Sequence, residues 1–337
     1  MPLLLQLPRN SPVAVAMGGY RGALRIPDQR NGVQNTLRRD GLSGYEVAAQ
    51  ATLLTLMQRA PRGAVVFDVG AHIGLYPAMI TSVYRARGYR VIAFEPTPTT
   101  AAICRKIRDD NKLDFELIEA AVSAEPGEAE LFLSDTWDTS NSLNPDHRNG
   151  TQAVTVPVIT LDRFAAERGL DPYLVKIDVE TYEPQVFAGA RATIERARPW
   201  ITCELLASID RESLAPRLER LQALGYTFHR MAGTRPWPPM TAAECLATLD
   251  NTSRDWLIAP RPLGPRFYRD LARWTLAIIE CDASTNRHVP GGKRLPGGWN
   301  ARYDPRPLLP VLRRRALKAI RDPGAVVRKI RGTVHAR

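Results

Sequence analysis

Between Val65 and Tyr76 the chain reads Val-Val-Phe-Asp-Val-Gly-Ala-His-Ile-Gly-Leu-Tyr. A short apolar, β-branched run that ends in an acid and two nearby glycines has few folded solutions. The run suits a strand buried on both faces, the glycines permit a sharp turn, and apolar periodicity then resumes as a helix. A second run, Arg90-Val-Ile-Ala-Phe-Glu-Pro96, also ends in an acid, Glu95, which lies 21 residues after Gly74. Strand, glycine turn, helix, strand and an acid at about that separation make up a nucleotide-binding βαβ unit, in which the acid accepts hydrogen bonds from ribose hydroxyls.

The glycine turn is not G-x-G-x-x-G, because His72 occupies the middle position. A pyrophosphate needs an open helix N-terminus free of competing negative charge. Asp68 places a carboxylate at the strand end, which suits a ligand bearing an ammonium. S-adenosylmethionine carries an α-ammonium, a sulfonium and a ribose and has no phosphate, so it is the expected cofactor. Two other readings compete: a nicotinamide-dependent oxidoreductase on the same scaffold, and a catalytically silent nucleoside-binding module.

Length and composition bound the rest. At 337 residues with 44% hydrophobic content, the chain can bury one large α/β domain with extensions. Cys104, Cys203, Cys245 and Cys281 are widely spaced with no C-x-x-C pair, which points to buried free thiols in a reducing cytoplasm and away from a zinc site or disulfide framework. The N-terminal Met1-Pro-Leu-Leu-Leu-Gln-Leu-Pro lacks the basic start of a signal peptide, and no apolar run reaches membrane-spanning length. The expected location is cytoplasmic.

In chain order, residues 1–42 read as an N-terminal extension, with Val13–Ala16 and Ala23–Ile26 as the arms of a β-hairpin. Residues 43–262 read as the cofactor domain. Its first helix runs from Tyr45 to Met57 with Ser43 as N-cap. Leu117–Ser123 reads as a third strand and Ala129–Leu133 as another. The polar stretch from Trp137 to Gly150 reads as a binding loop, in which Ser140, Asn141 and Ser142 are candidate ligand contacts. Ala153–Val158 contains Pro157 and is expected at a sheet edge. A helix over Pro184–Ala197, a strand at Trp200–Leu205, a helix over Leu214–Leu224 and a closing strand pair near Tyr226–Phe228 and Trp256–Ala259 complete the domain.

Residues 263–337 read as a helical and irregular basic extension. The net charge is +11, and residues 313–337 carry nine Lys or Arg against one acid, Asp322. Such a segment suits a solvated or partner-docked helix, or contact with an anionic membrane surface at the inner face. It lacks interleaved aromatics and a base-reading motif, so nucleic acid is not an expected partner.

The second informative stretch is Leu174-Val-Lys-Ile-Asp-Val-Glu-Thr-Tyr-Glu183, a strand that ends in Asp178, Glu180 and Glu183. Acids at the carboxyl end of a parallel strand stand where open α/β sheets bind ligands. Asp178 and Glu180 are candidate general bases, with Lys176 orienting them. His72 is an alternative base. The three carboxylates do not by themselves demand a metal, and none is expected.

With both stretches in view, the chain resembles the FkbM-type S-adenosylmethionine-dependent methyltransferases. The resemblance rests on Asp68-Val-Gly-Ala-His-Ile-Gly74, Ala93-Phe-Glu-Pro96, Ala121-Val-Ser123, Thr160-Leu-Asp162 and Lys176-Ile-Asp-Val-Glu-Thr-Tyr-Glu183, in that order. It covers about residues 65–205, and more loosely reaches 260. It implies a Rossmann-like seven-stranded sheet with helices on both faces. It also implies methyl transfer to a hydroxyl of a sugar, glycolipid or polyketide-like acceptor. Asp68, Gly70 and Gly74 would shape the methionine pocket, with Ala71, His72 and Asp178 beside them. Glu95 and Pro96 would hold the ribose, and Ala120 and Ala121 would border the adenine. Two positions depart from the family: His72 replaces Asn and Thr181 replaces Gly. A β-branched residue disfavours the positive φ that Gly permits, which puts the turn after Glu180 in question.

Overall fold

The computed structural model describes residues 2–8, 22–28, 31–134, 141–144, 152–232 and 235–288. It divides the chain into one unit over Met1–Gly292 and a second over Lys293–Arg337. The second unit, which holds the basic run, lies outside the described residues, as do Val13–Ala16 and Ser140.

The strands are β1 (Leu3–Gln6), β2 (Ala23–Ile26), β3 (Val65–Val69), β4 (Arg90–Phe94), β5 (Phe115–Ile118), β6 (Ala121–Val122), β7 (Gly127–Leu133), β8 (Gln152–Ile159), β9 (Pro172–Ile177), β10 (Trp200–Glu204), β11 (Thr227–Arg230), β12 (Asp255–Ala259) and β13 (Arg287–His288). The α-helices are α1 (Gly32–Asp40), α2 (Val47–Arg59), α3 (Leu75–Val83), α4 (Pro98–Asn111), α5 (Leu161–Arg168), α6 (Glu183–Gly189), α7 (Arg191–Ala197), α8 (Arg211–Ala223), α9 (Ala242–Ala247) and α10 (Pro265–Ile279).

Seven strands form one sheet in the order β11-β12-β10-β9-β3-β4-β5. Strands β9, β3, β4, β5 and β10 run parallel, while β12 is antiparallel to both β10 and β11. The central strands are buried on both sides, which is why β3 and β4 read as nearly continuous apolar runs. One face carries Val66, Val91, Leu174 and Leu257 under α2, α3, α4 and α10. The other carries Phe67, Ile92, Val175 and Ile201 under α5, α7, α8 and α9. The expected Rossmann-like, two-faced α/β architecture is therefore present.

Several local expectations are corrected. The partner of Ala23–Ile26 is Leu3–Gln6, and β13 pairs with the other side of β1. Ser43 does not cap α2. It sits in a 3-10 turn with its Oγ donating to Asp40 O at 2.9 Å, and Glu46, at φ 35, precedes the helix. The third sheet strand is Phe115–Ile118, and Ala121–Val122 leaves for a small sheet ordered β6-β8-β7. Pro157 lies in the middle strand of that small sheet. It is tolerated there because β6 is two residues long and reaches only Val158 and Ile159. The helix expected over 184–197 breaks at Ala190. Gly189 precedes the break, and a Cβ on it would lie 1.9 Å from the Ser123 carbonyl oxygen. All four cysteines are free and buried.

α2 is anchored away from the sheet by α10. Arg59 Nη2 meets Asp270 Oδ2 at 2.7 Å, and Trp274 Nε1 donates to Gln58 Oε1 at 2.8 Å. These contacts hold the C-terminal end of α2, while Glu46 at its N-terminal end is held by Tyr76, whose Oη donates to Glu46 Oε2 at 2.6 Å.

Candidate active site

The first two strand tips are joined by hydrogen bonds before any ligand is considered. The Gly70 and Ala71 amides both donate to Phe94 O at 3.0 Å. Gly70 has φ 78, and a Cβ on it would lie 1.8 Å from Asp178 O. Gly74 has φ 77, and its Cβ would lie 2.4 Å from Cys104 Sγ. Both glycines therefore serve close approach of the chain to itself: one packs the β3 tip against β9, the other packs α3 against α4.

His72 also adopts a left-handed conformation, φ 52. Its amide donates to Glu95 Oε2 at 2.8 Å, and the Thr97 amide donates to Glu95 Oε1 at 2.9 Å. One carboxylate thus locks the glycine turn after β3 to the exit from β4. Each of its oxygens has a second lone-pair direction, which suits a vicinal diol. Pro96 follows, half-buried, and Ala120 and Ala121 are buried at the neighbouring exit from β5. The Glu95 amide donates to Ile118 O at 3.0 Å, so these tips form one ledge.

Asp68 sits in register with Lys176 on the adjacent strand. Its side chain is 2% exposed, and Oδ1 lies 3.4 Å from Lys176 Nζ. Neither oxygen has a hydrogen-bond partner among the described residues. Asp68 therefore meets Lys176, whose Nζ in turn reaches Gly70 O at 3.5 Å, and makes no direct hydrogen bond to the turn that Glu95 closes. Burial pushes its pKa up, an effect partly offset by Lys176.

Lys176 is the hub. Its Nζ lies 3.0 Å from Asp178 Oδ2 and 5.1 Å from the centre of the Tyr76 ring. Burial works against its charge, but Asp178, Asp68 and Glu46 outweigh burial and hold it more basic than an ordinary lysine. Asp178 is the reciprocal case. Burial opposes its ionisation, yet Lys176 and a hydrogen bond from Glu204 leave its pKa below the usual range.

The turn after Glu180 is left-handed despite the β-branched Thr181. Glu180 has φ 53 and Thr181 φ 75. Neighbours hold this unfavourable backbone in place: Ser142 Oγ donates to Glu180 O at 2.7 Å, and Asn144 Nδ2 donates to Thr181 Oγ1 at 2.9 Å. Asn141 accepts from the Ser134 amide at 2.9 Å and reaches Thr97 Oγ1 at 3.4 Å. Residues 141–144 thus bridge the β4 and β9 exits. Asn141 and Ser142, expected as ligand contacts, spend these polar atoms on the scaffold. Beyond the turn, Glu183 is buried, with Oε1 accepting from the Val179 amide at 3.1 Å and Oε2 unpartnered among the described residues. Burial pushes its pKa up to about 8.

Three acids that the sequence reading passed over converge beside Asp178. Glu46 comes from the start of α2, Glu204 from the end of β10 and Asp255 from the start of β12, which enters the sheet at the same end. All three line one hollow with Asp178 and Thr202. Tyr76 Oη donates to Glu46 Oε2 at 2.6 Å, and Arg254 Nε lies 3.2 Å from Glu204 Oε1. Burial raises the pKa of all three acids, and Asp255 reaches about 7. The sequence signal was faint: each is a single acid at an element end. Among the described residues, no group of His, Cys, Asp and Glu side chains is arranged to hold a metal, and no helix is long and apolar enough to cross a membrane.

Comparison with known proteins finds similarity to methyltransferases. Residues 68–228 match the model of the methyltransferase FkbM domain. A curated relative, the 31-O-demethyl-FK506 methyltransferase FkbM of Streptomyces tacrolimicus, is 29% identical over an alignment of 156 residues that covers 38% of this chain. The chain spans 59% of that relative's length. Among solved structures, a methyltransferase FkbM from Methylobacillus flagellatus is similar at 16% identity and TM-score 0.38, over 59% of this chain and 44% of that one. A precorrin-6y C5,15-methyltransferase from Geobacter metallireducens is similar at 14% identity and TM-score 0.33, over 62% of this chain and 85% of that one. Structural likeness this loose carries nothing about chemistry. The resemblance to the methyltransferase FkbM domain family is shown over residues 68–228, just under half of the chain.

Proposed function

We propose that this protein is an S-adenosylmethionine-dependent methyltransferase that acts on a hydroxyl oxygen of a sugar, glycolipid or polyketide-like acceptor. One observation carries the reading. Within an FkbM-type domain, Glu95 is fixed by two backbone amides at the tips of β3 and β4, with its outer lone pairs left for a ribose diol. The surrounding charge favours the same ligand. Asp68, Glu95 and Asp178 stand around the glycine turn with Lys176 between two of them. A pyrophosphate would meet that carboxylate field unfavourably, which weakens the nicotinamide alternative. Asp68 contributes through Lys176 and the turn it supports.

When bound, the cofactor supplies an activated methyl on a sulfonium. The protein has to align an acceptor oxygen behind that methyl and take its proton. An acceptor oxygen that took this methyl would give its proton to a carboxylate of the chain, leaving a methyl ether and S-adenosylhomocysteine as products. Asp178 is the base in this reading. Lys176 keeps it ionised at neutral pH and fixes its orientation. Glu180 and His72 stand at neighbouring strand exits, with their backbones in the left-handed region. The test is transfer of labelled methyl from S-adenosylmethionine to a panel of hydroxylated sugars and lipid-linked acceptors. Label in an ether product supports the reading, and label in an amine or on carbon would replace its acceptor half.

A further inference from the structure

The hollow beside Asp178 carries more negative charge than its surroundings neutralise. Glu46, Asp178, Glu204 and Asp255 line it. Two cations stand against them: Lys176, which also serves buried Asp68, and Arg254, which pairs with Glu204. Thr202 adds a second, independent observation. It is 5% exposed, lines the hollow, and its Oγ1 has no hydrogen-bond partner among the described residues. A buried hydroxyl without a partner is costly, and here it faces the unneutralised acids.

Position separates this hollow from the ribose ledge. Three strand spacings, β4 to β3 to β9 to β10, lie between Glu95 and Glu204, or roughly 14 Å at about 4.8 Å per strand. With a nucleoside on that ledge, the hollow lies on the far side of β3, toward β10 and β12. Its volume is about 20 Å³, the size of a single water or a single ammonium head. The acids are not set at metal-ligand spacing. What fits is a small organic cation with several hydrogen-bond donors.

We propose that this hollow recognises the acceptor through a primary ammonium group, so that the molecule methylated is an amine-bearing alcohol. The inference rests on the methyltransferase reading above and narrows its acceptor. A primary ammonium has three N–H donors, and Thr202 Oγ1 and the carboxylates of Glu46 and Asp255 are the acceptors around it. Lys176 does not oppose it, because Asp68 and Asp178 already neutralise that charge. The groups facing the ammonium are Tyr45 and Glu46 just before α2, Tyr76 on α3, Lys176 and Asp178 on and after β9, Glu204 on β10, and Arg254 and Asp255 at β12. Burial raises the pKa values of Glu46, Glu204 and Asp255, so an ammonium that enters the hollow displaces protons from them.

The test uses the full chain saturated with S-adenosylhomocysteine, titrated calorimetrically with ethanolamine, ethylene glycol and choline at pH 7 in two buffers of different ionisation heat. Ethanolamine is expected to bind at least ~10-fold more tightly than ethylene glycol, a difference of about 1.4 kcal/mol. It should release protons on binding, and choline should be excluded by its three methyl groups. The Glu46→Gln/Asp255→Asn double variant should lose the preference. Equal affinity for ethanolamine and ethylene glycol, binding of choline alone, or no heat from any of the three overturns the proposal. Absence of the initial S-adenosylhomocysteine heat defeats the methyltransferase reading itself, and the acceptor inference falls with it. A cofactor signal without an amine preference defeats the acceptor inference alone.

Discussion

Lys176 and Asp68 face each other in register on adjacent parallel strands, 3.4 Å apart and both buried. Removing one member of such a pair leaves an uncompensated charge in the sheet. Lys176→Met should therefore destabilise the protein by about 3–5 kcal/mol, measured by denaturant unfolding. Adding Asp68→Asn to that variant should recover part of the loss. A single variant as stable as the wild type would show that the pair does not exist in solution.

Asp178 is held ionised by Lys176, 3.0 Å away. Asp178→Asn keeps the shape and removes the proton acceptor. Turnover should fall by about 10²- to 10⁴-fold, while the affinity for S-adenosylhomocysteine changes little. Full turnover in this variant would take Asp178 out of the role of base.

Thr181 holds φ 75 with the help of Asn144. An alanine there keeps the strained backbone and loses the hydrogen bond, whereas a glycine relieves the strain. Thr181→Gly should be more stable than Thr181→Ala by about 1–2 kcal/mol, the reverse of their order inside a helix. Equal melting temperatures would mean that this turn relaxes out of the left-handed region.

Glu183 is buried with a pKa raised to about 8. A carboxyl whose folded pKa lies above its unfolded value stabilises the fold while it is protonated. That contribution is full below the unfolded pKa and is lost as pH rises through the folded one. Wild type should lose stability between about pH 5 and pH 8, where the unfolded chain gives up this proton and the core keeps it. Glu183→Gln removes the dependence, so it should match the wild type near pH 5 and exceed it by a few kcal/mol at pH 8.5. A gap that does not change with pH would place Glu183 in contact with water.

The parts of this site that follow the chain locally were legible in the sequence. The β3 turn, Glu95 and the acids after β9 each announce themselves within a dozen residues, because strand, glycine and acid succeed one another along the backbone. What Gly70 and Gly74 are for was not legible. The atoms their missing Cβ groups make room for belong to Asp178 and Cys104, and only the folded sheet brings these close. Glu46, Glu204 and Asp255 were missed for the same reason. They meet because β12 inserts antiparallel between β10 and β11 and because Tyr76 holds Glu46 at the start of α2, both long-range effects with no periodic trace. Thr181 ran the other way. Propensity argued against a left-handed turn there, and two side chains from residues 141–144 supply the hydrogen bonds that hold it.

The most direct test of the cofactor site is a calorimetric titration of the wild type and of Glu95→Ala with S-adenosylmethionine, S-adenosylhomocysteine and NADH. The expected result is binding of the first two to the wild type, no binding of NADH, and a loss of at least ~10-fold in affinity in the variant, about 1.4 kcal/mol. Binding of NADH alone, or S-adenosylmethionine affinity unchanged by Glu95→Ala, would contradict the placement of a phosphate-free nucleoside on the β3–β4 ledge.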